Sequence, residues 1–289
     1  MKSGVQHKSV YRIVSIIVLF ILAFLFVFPL YWIVTGAFKT TQQINSVTPV
    51  WFPTEWTLDN FVRLFARRTA PIFPMGPVGP AAIRWLFNTV FMAVAAMILT
   101  CITASMAGYA LAKKRFRGRA ILFGLIVCAM ALPKQVILIP LIREISFLGL
   151  YDNIWAVIFP TVGWPFGVFL MKQFSEGIPG EILEAARIDG ANEARTFATI
   201  VVPMVKPGLG ALAIFTFINS WNDYFMQLIM LASTENATIS LGISTLQAET
   251  SVDTGMLMAG AALAAAPIII VFLIFQKYFT QGITMGAVK

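Results

Sequence analysis

Long apolar runs alternate with shorter polar segments along the whole chain. Six windows are apolar enough, and close enough to the roughly 20 residues that an α-helix needs to cross a bilayer, to be candidate spans. They cover residues 12–34, 85–111, 119–142, 153–172, 204–231 and 257–276. The pattern predicts an all-α polytopic membrane protein with six transmembrane helices. It leaves two long connections, residues 35–84 and 173–203.

The prolines predict that several of these helices are irregular. Pro133, Pro140, Pro160 and Pro165 fall in the third and fourth windows, and Pro267 falls in the sixth. Proline removes a helix hydrogen bond, and its ring clashes with the preceding turn. Because irregular backbone is tolerated in a bilayer only against protein or a water-filled cavity, we expect the middle helices to line a path.

Composition supports the membrane class independently. Of the 289 residues, 58% are hydrophobic and 12% are charged, more apolar surface than a soluble domain could hide. The first window is too long for the core of a signal peptide, and no cleavage pattern of small residues follows it, so we expect it to remain as an anchor. The net charge of +8 is explained by membrane topology and anionic lipid, and we infer no nucleic-acid binding from it.

The basic residues predict the orientation, because Lys and Arg are retained on the cytoplasmic side of a membrane. Three precede the first window and five crowd the connection after the second: Lys2, Lys8, Arg12, Lys113, Lys114, Arg115, Arg117 and Arg119. Residues 233–255 carry acidic residues and neither Lys nor Arg. We therefore expect both termini and residues 173–203 in the cytoplasm and residues 35–84 in the periplasm, although this outer connection is itself basic.

Residues 179–203 predict a helix, a glycine turn and a second helix. Pro179 suits a first turn, Gly190 suits a left-handed stop, and Asn192 suits the N-cap of a helix that ends before Pro203. Ile182, Leu183 and Ala186 form the apolar face, which Ala185 can extend. Helices this short are marginal alone, so we expect them to dock, leaving their charged residues for a partner. The alternative is an ordinary amphipathic loop with solvated charges.

The residues of this segment also form a long, gapped motif. Glu184, Ala185 and Ala186 are followed by Gly190 after three residues, and then, after nine more, by Ile200, Val202 and Pro203. This pattern resembles the cytoplasmic loop with which bacterial ABC importer permeases grip their ATPase subunit, with Val202 where Leu is usual. Residues 219–225 and 278–289 are similar to the carbohydrate branch, specifically the smaller permease subunit of maltose-type importers.

The resemblance implies a set of partners and roles. The partners are a second homologous permease, an ATPase dimer that binds ATP and Mg, a periplasmic or lipid-anchored solute-binding protein, and a sugar, with the chain spanning the bacterial inner membrane. Seven residues would couple to the ATPase: Glu184, Ala185, Ala186, Arg187, Asp189, Gly190 and Pro203. Glu184 would pair with a basic residue, the two alanines would allow close packing, and Gly190 would permit the turn. The C-terminal residues Gly282, Thr284 and Lys289 would form a second contact with the ATPase.

A polar and aromatic string lies in the fifth window, where it suits a sugar path. It contains Asn219, Trp221, Asn222, Asp223 and Tyr224. Asn222 lies about 27 Å along a helix that starts at Met204, near the outer end of the hydrocarbon. Sugars stack on aromatic rings and need donors and acceptors for their hydroxyl groups. The alternatives are an interfacial aromatic belt with a helix–helix hydrogen bond from Asn222, or sugar contacts made mainly by the partner permease, as in the maltose system.

Ionisable residues within the windows are functional candidates, because a bilayer makes them costly. Lys134 and Asp223 are two of them. In the outer connection, Arg63, Arg67 and Arg68 raise the hypothesis of an acidic ligand or a docking surface. We otherwise expect that connection to be extended and interfacial, with its aromatic residues at the headgroup level or against the binding protein or partner permease.

The sequence offers little for catalysis. His7 lies in a polar tail, Cys101 and Cys128 lie in apolar windows, and no phosphate-binding glycine loop is present, so we expect no metal, cofactor or catalytic residue in this chain. An ABC permease for a non-sugar or polyol-phosphate solute and an ion-coupled secondary transporter remain alternatives, as does a membrane enzyme. The secondary transporter would usually need embedded carboxylates, and Asp223 is the one we find. The sequence leaves open whether the sugar is neutral or acidic.

Overall fold

The computed structural model describes residues 3–69, 71, 78–247 and 253–287, with side chains given between residues 11 and 276. The first part contains α1 (Ser3–Ala37), α2 (Thr41–Ile44), α3 (Asp59–Ala66), β1 (Arg68–Thr69), β2 (Gly79–Pro80) and α4 (Ala81–Lys113). The two short strands pair antiparallel, with Arg68 opposite Pro80.

The remainder is helical between its connections. It contains α5 (Arg119–Met130), α6 (Lys134–Phe147), α7 (Trp155–Val162), α8 (Pro165–Glu176), α9 (Gly180–Ile188), α10 (Glu193–Thr196), a π turn (Phe197–Val201), α11 (Val202–Met204), α12 (Lys206–Asn222), α13 (Tyr224–Met230), α14 (Ile239–Gln247) and α15 (Thr254–Ala287).

Four helical segments within the described residues are long and apolar enough to cross a membrane. They are Tyr11–Ala37, Ala81–Lys113, Trp155–Glu176 and Thr254–Gln276. Two bent helix pairs meet the same criterion jointly: α5 with α6, bent by 105°, and Glu193–Met204 with α12, bent by 79°. The structure therefore confirms a mostly helical membrane protein with four to six candidate spans.

The third and fifth windows are not the single helices that the sequence predicts. Window 119–142 breaks before Pro133, whose backbone is extended (φ −62°, ψ 132°). Proline removes an N–H and disfavours helical backbone in the residue before it, which ends α5. Window 204–231 breaks at Asp223 (φ −78°, ψ 59°). Both corrections place irregular backbone inside an apolar run.

The other prolines behave in different ways. Pro165 begins α8 after a break at residues 163–164, as a first-turn proline does. Pro140, Pro160 and Pro267 instead lie inside helices that continue through them. The prediction of an irregular backbone is therefore confirmed at Pro133 and Pro165, whereas the helix is not interrupted at the other three.

Helix α4 is the centre of the fold and packs against α7, α8 and α12. Its buried residues Met92, Ala93 and Ala96 share a core with Ile158 of α7 and Phe217 of α12. A close helix contact lies at Gly108, where an added Cβ would lie 2.6 Å from the backbone nitrogen of Lys172. Backbone therefore meets backbone between α4 and α8, an approach that small residues permit.

The N-terminal end of α4 organises the segment that follows α13. The Trp85 indole donates to the Thr234 carbonyl at 3.0 Å. The Asn88 amide donates to the carbonyls of Glu235 and Ala237, both at 2.9 Å. These bonds satisfy backbone groups that have no partner in a helix or strand. They fix residues 234–237 to the same helix that forms the core.

The described part of the outer connection, residues 35–69, 71 and 78–84, is folded and not extended, which corrects the prediction. The Asn60 amide of α3 is fully buried and donates to the carbonyls of Ala37 at 2.9 Å and Lys39 at 2.8 Å. Arg63 pairs with Asp59 at 3.2 Å and with Asp253, just before α15, at 3.0 Å. The charge of Arg63 is thus already compensated, which removes it from the predicted arginine surface.

Helix α1 presents its apolar side chains outwards. Its most apolar stretch contains no buried residue, and Phe20 and Phe26 are 74% and 77% exposed. α1 packs mainly against α15, where Gly36 lies against Met258. So large an apolar surface needs lipid or another chain to cover it.

The Gly108 contact leads to a stability prediction. Gly108→Ala would place a methyl group against the backbone of residues 171 and 172, which cannot move as a flexible side chain could. Overpacking of this kind costs about 1–3 kcal/mol, so we expect a lower thermal unfolding midpoint for the detergent-purified chain. Gly124→Ala in α5 is the control, because an added Cβ there meets nothing within 4 Å. Equal midpoints for the two variants would contradict the close contact.

Candidate functional site

The segment from α9 to α11 has the helix, glycine turn and helix that the sequence predicts. Pro179 precedes α9, and Gly190 has the left-handed φ of 76°. The N–H of Ala191 donates to the Ala186 carbonyl at 2.9 Å, closing the helix end around the glycine. Asn192 caps α10 by accepting from the N–H of Arg195 at 2.8 Å. Local backbone rules thus fix the shape of the turn.

The second helix of this segment does not end before Pro203, which corrects the prediction. It runs from Glu193 to Met204 through a π turn, in which the N–H of Val202 donates to the Phe197 carbonyl. Proline would leave the carbonyl of the preceding turn without its donor. The wider turn just before Pro203 allows the helix to continue through the ring.

Helix α9 has one face against the body of the chain and one face open. Ala186 is 6% exposed, and Leu183 packs on a core that includes Ile178 and Val201. Glu184, Ala185, Arg187 and Asp189 are exposed. This assigns Ala185 to the open face, and it places Ala186 against this chain, where its small size serves internal packing.

Ile188 is a member of the open face that sequence reasoning missed. Its side chain is 86% exposed at the end of α9. The apolar pattern could have found it, because Ile188 lies out of phase with Leu183 and Ala186 on the helix. An isolated, protruding aliphatic side chain between charged residues is suited to entering an apolar pocket of a partner.

Two lysines at the C-terminal end of α4 hold α9 and its glycine turn on both sides. Lys113 Nζ donates to the carbonyls of Glu176 at 3.0 Å and Ile178 at 2.6 Å, just before α9. Lys114 pairs with the carboxylate of Glu193 at the start of α10. These lysines were interpreted from the sequence only as orientation signals, and their contacts show that they also attach the segment to α4.

An aromatic contact reinforces the same attachment. The ammonium group of Lys114 lies 5.0 Å from the centre of the Tyr109 ring, and that ring lies 5.8 Å from the ring of Phe197. Tyr109, Ile178 and Val201 belong to one buried cluster. The last turns of α4 and the π turn are therefore joined by apolar packing as well as by charge.

A second candidate site is an open groove of about 480 Å³ at the breaks in the third and fifth windows. It is lined by Lys134, Trp164, Phe215, Ile218, Asn219, Asn222 and Asp223. Lys134 begins α6 and Asp223 separates α12 from α13, and their charged groups are 2.9 Å apart. The two embedded charges that the sequence singled out thus neutralise each other.

The structure divides the predicted sugar-path residues. Asn219, Asn222 and Asp223 line the groove. Trp221 does not: it is 1% exposed and packs in the core, 5.5 Å from the ring of Phe217. Tyr224 is not among the lining residues and donates its hydroxyl to Ser244 at 3.0 Å. Trp164 and Phe215 supply the aromatic surface instead.

The remaining predicted sites carry less structural information. Gly282 and Thr284 lie within α15, and Lys289 lies outside the described residues. Within the described part of the chain, no group of three or more His, Cys, Asp or Glu side chains is placed to hold a metal. Cys101 and Cys128 are free thiols.

The chain is similar in sequence to transport system permease proteins and in fold to a chain of a solved transporter. The arabinooligosaccharides transport system permease protein AraQ of Bacillus subtilis is 35% identical over 283 residues, covering 97% of each chain. The maltodextrin transport system permease protein MdxG of the same species is 32% identical, covering 96% of each. A chain of a bacterial ABC transporter involved in the import of the acidic polysaccharide alginate shares the fold, with a TM-score of 0.79 and 23% identity over 94% of this chain and 98% of that one.

The family comparison covers both candidate sites. Residues 101–285 match the model of the binding-protein-dependent transport system inner membrane component. That range includes the segment from α9 to α11, the end of α4 that holds it, and the groove. The chain therefore belongs to the family of inner membrane components of binding-protein-dependent transport systems.

Proposed function

We propose that this chain is the transmembrane permease subunit of an ATP-binding-cassette importer that moves a carbohydrate, most simply an oligosaccharide. It would cross the bacterial inner membrane six times, with both termini and residues 173–203 in the cytoplasm and residues 35–84 in the periplasm. The observation that carries the proposal is the open face of α9, on which Glu184, Ile188 and Asp189 are exposed. Arg187 lies on the same face and pairs with Glu193 of α10 at 3.5 Å. Family membership and the substrates in the relatives' names support it.

The open face of α9 would dock in a cleft of a separate ATPase that binds ATP and Mg. Glu184, Arg187 and Asp189 would meet charged groups there, and Ile188 would fill an apolar pocket. Ala185 would permit a close approach of the ATPase. Gly190 would keep the left-handed turn, a backbone conformation that residues with a side chain rarely adopt. Closure of the ATPase dimer would then move α9 as a unit.

Movement of α9 would pass to the membrane through the end of α4. Lys113 and Lys114 attach α9 and its turn on both sides, and Tyr109 packs on Phe197. Because α4 packs on α8 and α12, a displacement of its end would shift the helices that carry the groove. Rigid-body rocking of this kind is a common way to alternate between two open states.

Further partners complete the proposal. A second, homologous permease would cover part of the apolar surface of α1, α5 and α6, and lipid would cover the rest. A periplasmic or lipid-anchored binding protein would deliver the solute, as the family description implies. The groove would belong to the translocation path, and Gly282, Thr284 and Lys289 would form the second contact with the ATPase.

Ion-coupled transport is a weaker explanation of the same residues. A carboxylate that takes up and releases a proton or ion needs room to change partners. Asp223 is held by Lys134 at 2.9 Å and also caps α13 by accepting from the N–H of Met226 at 3.3 Å.

Ile188→Glu tests the docking of α9. Its side chain is almost fully exposed, so we expect the chain itself to fold and insert. Burying an unpaired carboxylate in an interface costs several kcal/mol, and about 1.4 kcal/mol is already a tenfold loss of affinity. We expect at least a tenfold loss of the ATPase subunit in pull-downs from native membranes, quantified by mass spectrometry.

Val47→Glu is the matched control for that experiment. Val47 is also fully exposed, but it lies in the outer connection, so its replacement should leave the ATPase bound. Recovery of the ATPase with Ile188→Glu at the level of the unmodified chain would contradict the proposed docking face. Purification of a chain that transports without any ATPase would overturn the proposed function itself.

A double-mutant cycle tests transmission through the end of α4. Lys114→Met and Glu193→Gln each remove one partner of the same ion pair, so each should reduce substrate-stimulated ATPase activity of the reconstituted complex. Because the two residues act together, the double variant should be no worse than the more impaired single variant. Losses that multiply in the double variant would show that the two residues act separately.

A further inference from the structure

A single ion pair in the groove joins the two breaks in the apolar windows. Lys134 is the first residue of α6 after the bend at Pro133, and Asp223 is the residue between α12 and α13. Their Nζ and Oδ2 atoms are 2.9 Å apart, with 48% and 17% of the two side chains exposed. The pair therefore lies at the surface of the groove, where a solute can reach it.

Asp223 has little freedom to leave this position. Its Oδ1 accepts from the N–H of Met226 at 3.3 Å while Oδ2 faces Lys134. The carboxylate thus satisfies the first turn of α13 and compensates Lys134 at the same time. If Lys134 turned to another anion, Asp223 would remain with no cation.

The rest of the lining contains no further charge. Trp164 and Phe215 give aromatic surface, and Ile218 gives aliphatic surface. Asn222 uses one amide hydrogen on the Ile218 carbonyl at 2.9 Å, which leaves its other hydrogen and its oxygen available. No described residue hydrogen-bonds to the Asn219 side chain. These groups match the ring faces and hydroxyl groups of a sugar.

Resting on the proposed function, we infer that this groove selects uncharged oligosaccharides over sugars that carry carboxylates. A uronate would need a free cation, and the cation of Lys134 is already compensated by a carboxylate that cannot follow it. A neutral sugar needs only stacking and hydrogen bonds. An ion pair forms strong hydrogen bonds with sugar hydroxyl groups, because its donor and its acceptor are charged.

Outside the groove, one basic residue and one comparison bear on the charge of the solute. Arg63, a basic residue of the outer connection, is held by Asp59 and Asp253 and offers no free charge to an anionic chain. The fold is shared with a chain of an importer of alginate, an acidic polysaccharide. The fold alone therefore does not set the charge of the solute.

The experiment uses the complete complex in lipid nanodiscs at low ionic strength, without its binding protein. Saturation-transfer NMR would measure binding of maltopentaose as the neutral probe and of pentagalacturonate as the acidic probe. We expect the unmodified complex to favour maltopentaose. Trp164→Ala should weaken the maltopentaose signal, which locates binding in this groove.

Asp223→Asn is the decisive variant. Asn is as good an N-cap as Asp, so α13 keeps its first turn while Lys134 loses its counter-charge. We expect pentagalacturonate binding to rise about threefold or more, in the range that a single exposed charge pair supports, and to fall again with added salt. Lys134→Gln, which leaves Asp223 uncompensated, should instead lower pentagalacturonate binding below that of the unmodified complex.

Three results would overturn the inference: equal binding of both probes by the unmodified complex, no maltopentaose signal, or no rise with Asp223→Asn. Each would be read in a complex that still contains the ATPase and shows coupled hydrolysis, so the proposed function would stand. A chain that assembles with no ATPase would refute the proposed function first.

Discussion

The contact of α4 with α8 at Gly108 is the constraint on which the rest of the fold depends. Without a Cβ, the two backbones meet, and α4 is held along its length by packing that a larger residue would spread apart. One end of α4 carries Lys113 and Lys114, which hold the segment around Gly190. Its other end carries Trp85 and Asn88, which hold residues 234–237. A single helix therefore connects the proposed ATPase contact with residues 234–237 at its opposite end.

Features governed by local backbone chemistry could be predicted from the sequence. The turn at Gly190 needs a left-handed residue, and the cap at Asn192 needs a short polar side chain, so residue type and order were sufficient. The family motif followed from the same residues. Apolar runs of the right length also gave the membrane class. In each case the information lies within about one helical turn or one bilayer thickness of sequence.

Other features depend on contacts between residues far apart in the chain. Lys114 and Glu193 are separated by 79 positions, and nothing in the local pattern links them. Hydropathy also failed to show the breaks before Pro133 and at Asp223, because apolar residues continue on both sides. Hydropathy also did not show whether the Trp221 side chain faces the core or the groove, because the hydropathy of a residue is the same in both places. The side of a membrane helix that faces protein cannot be read from hydrophobicity when lipid is equally apolar.

The position of α1 has a consequence for how the chain is made. This helix is synthesised long before α15, which is its main neighbour inside the chain. During synthesis α1 must remain in the bilayer without this neighbour until more than 200 further residues have followed it. Such non-local pairing is slow to form, because the intervening loop must close before contacts are gained. A helix whose apolar surface is almost entirely outward is stable in lipid during that wait, so the exposure of α1 suits the order of assembly as well as the final structure.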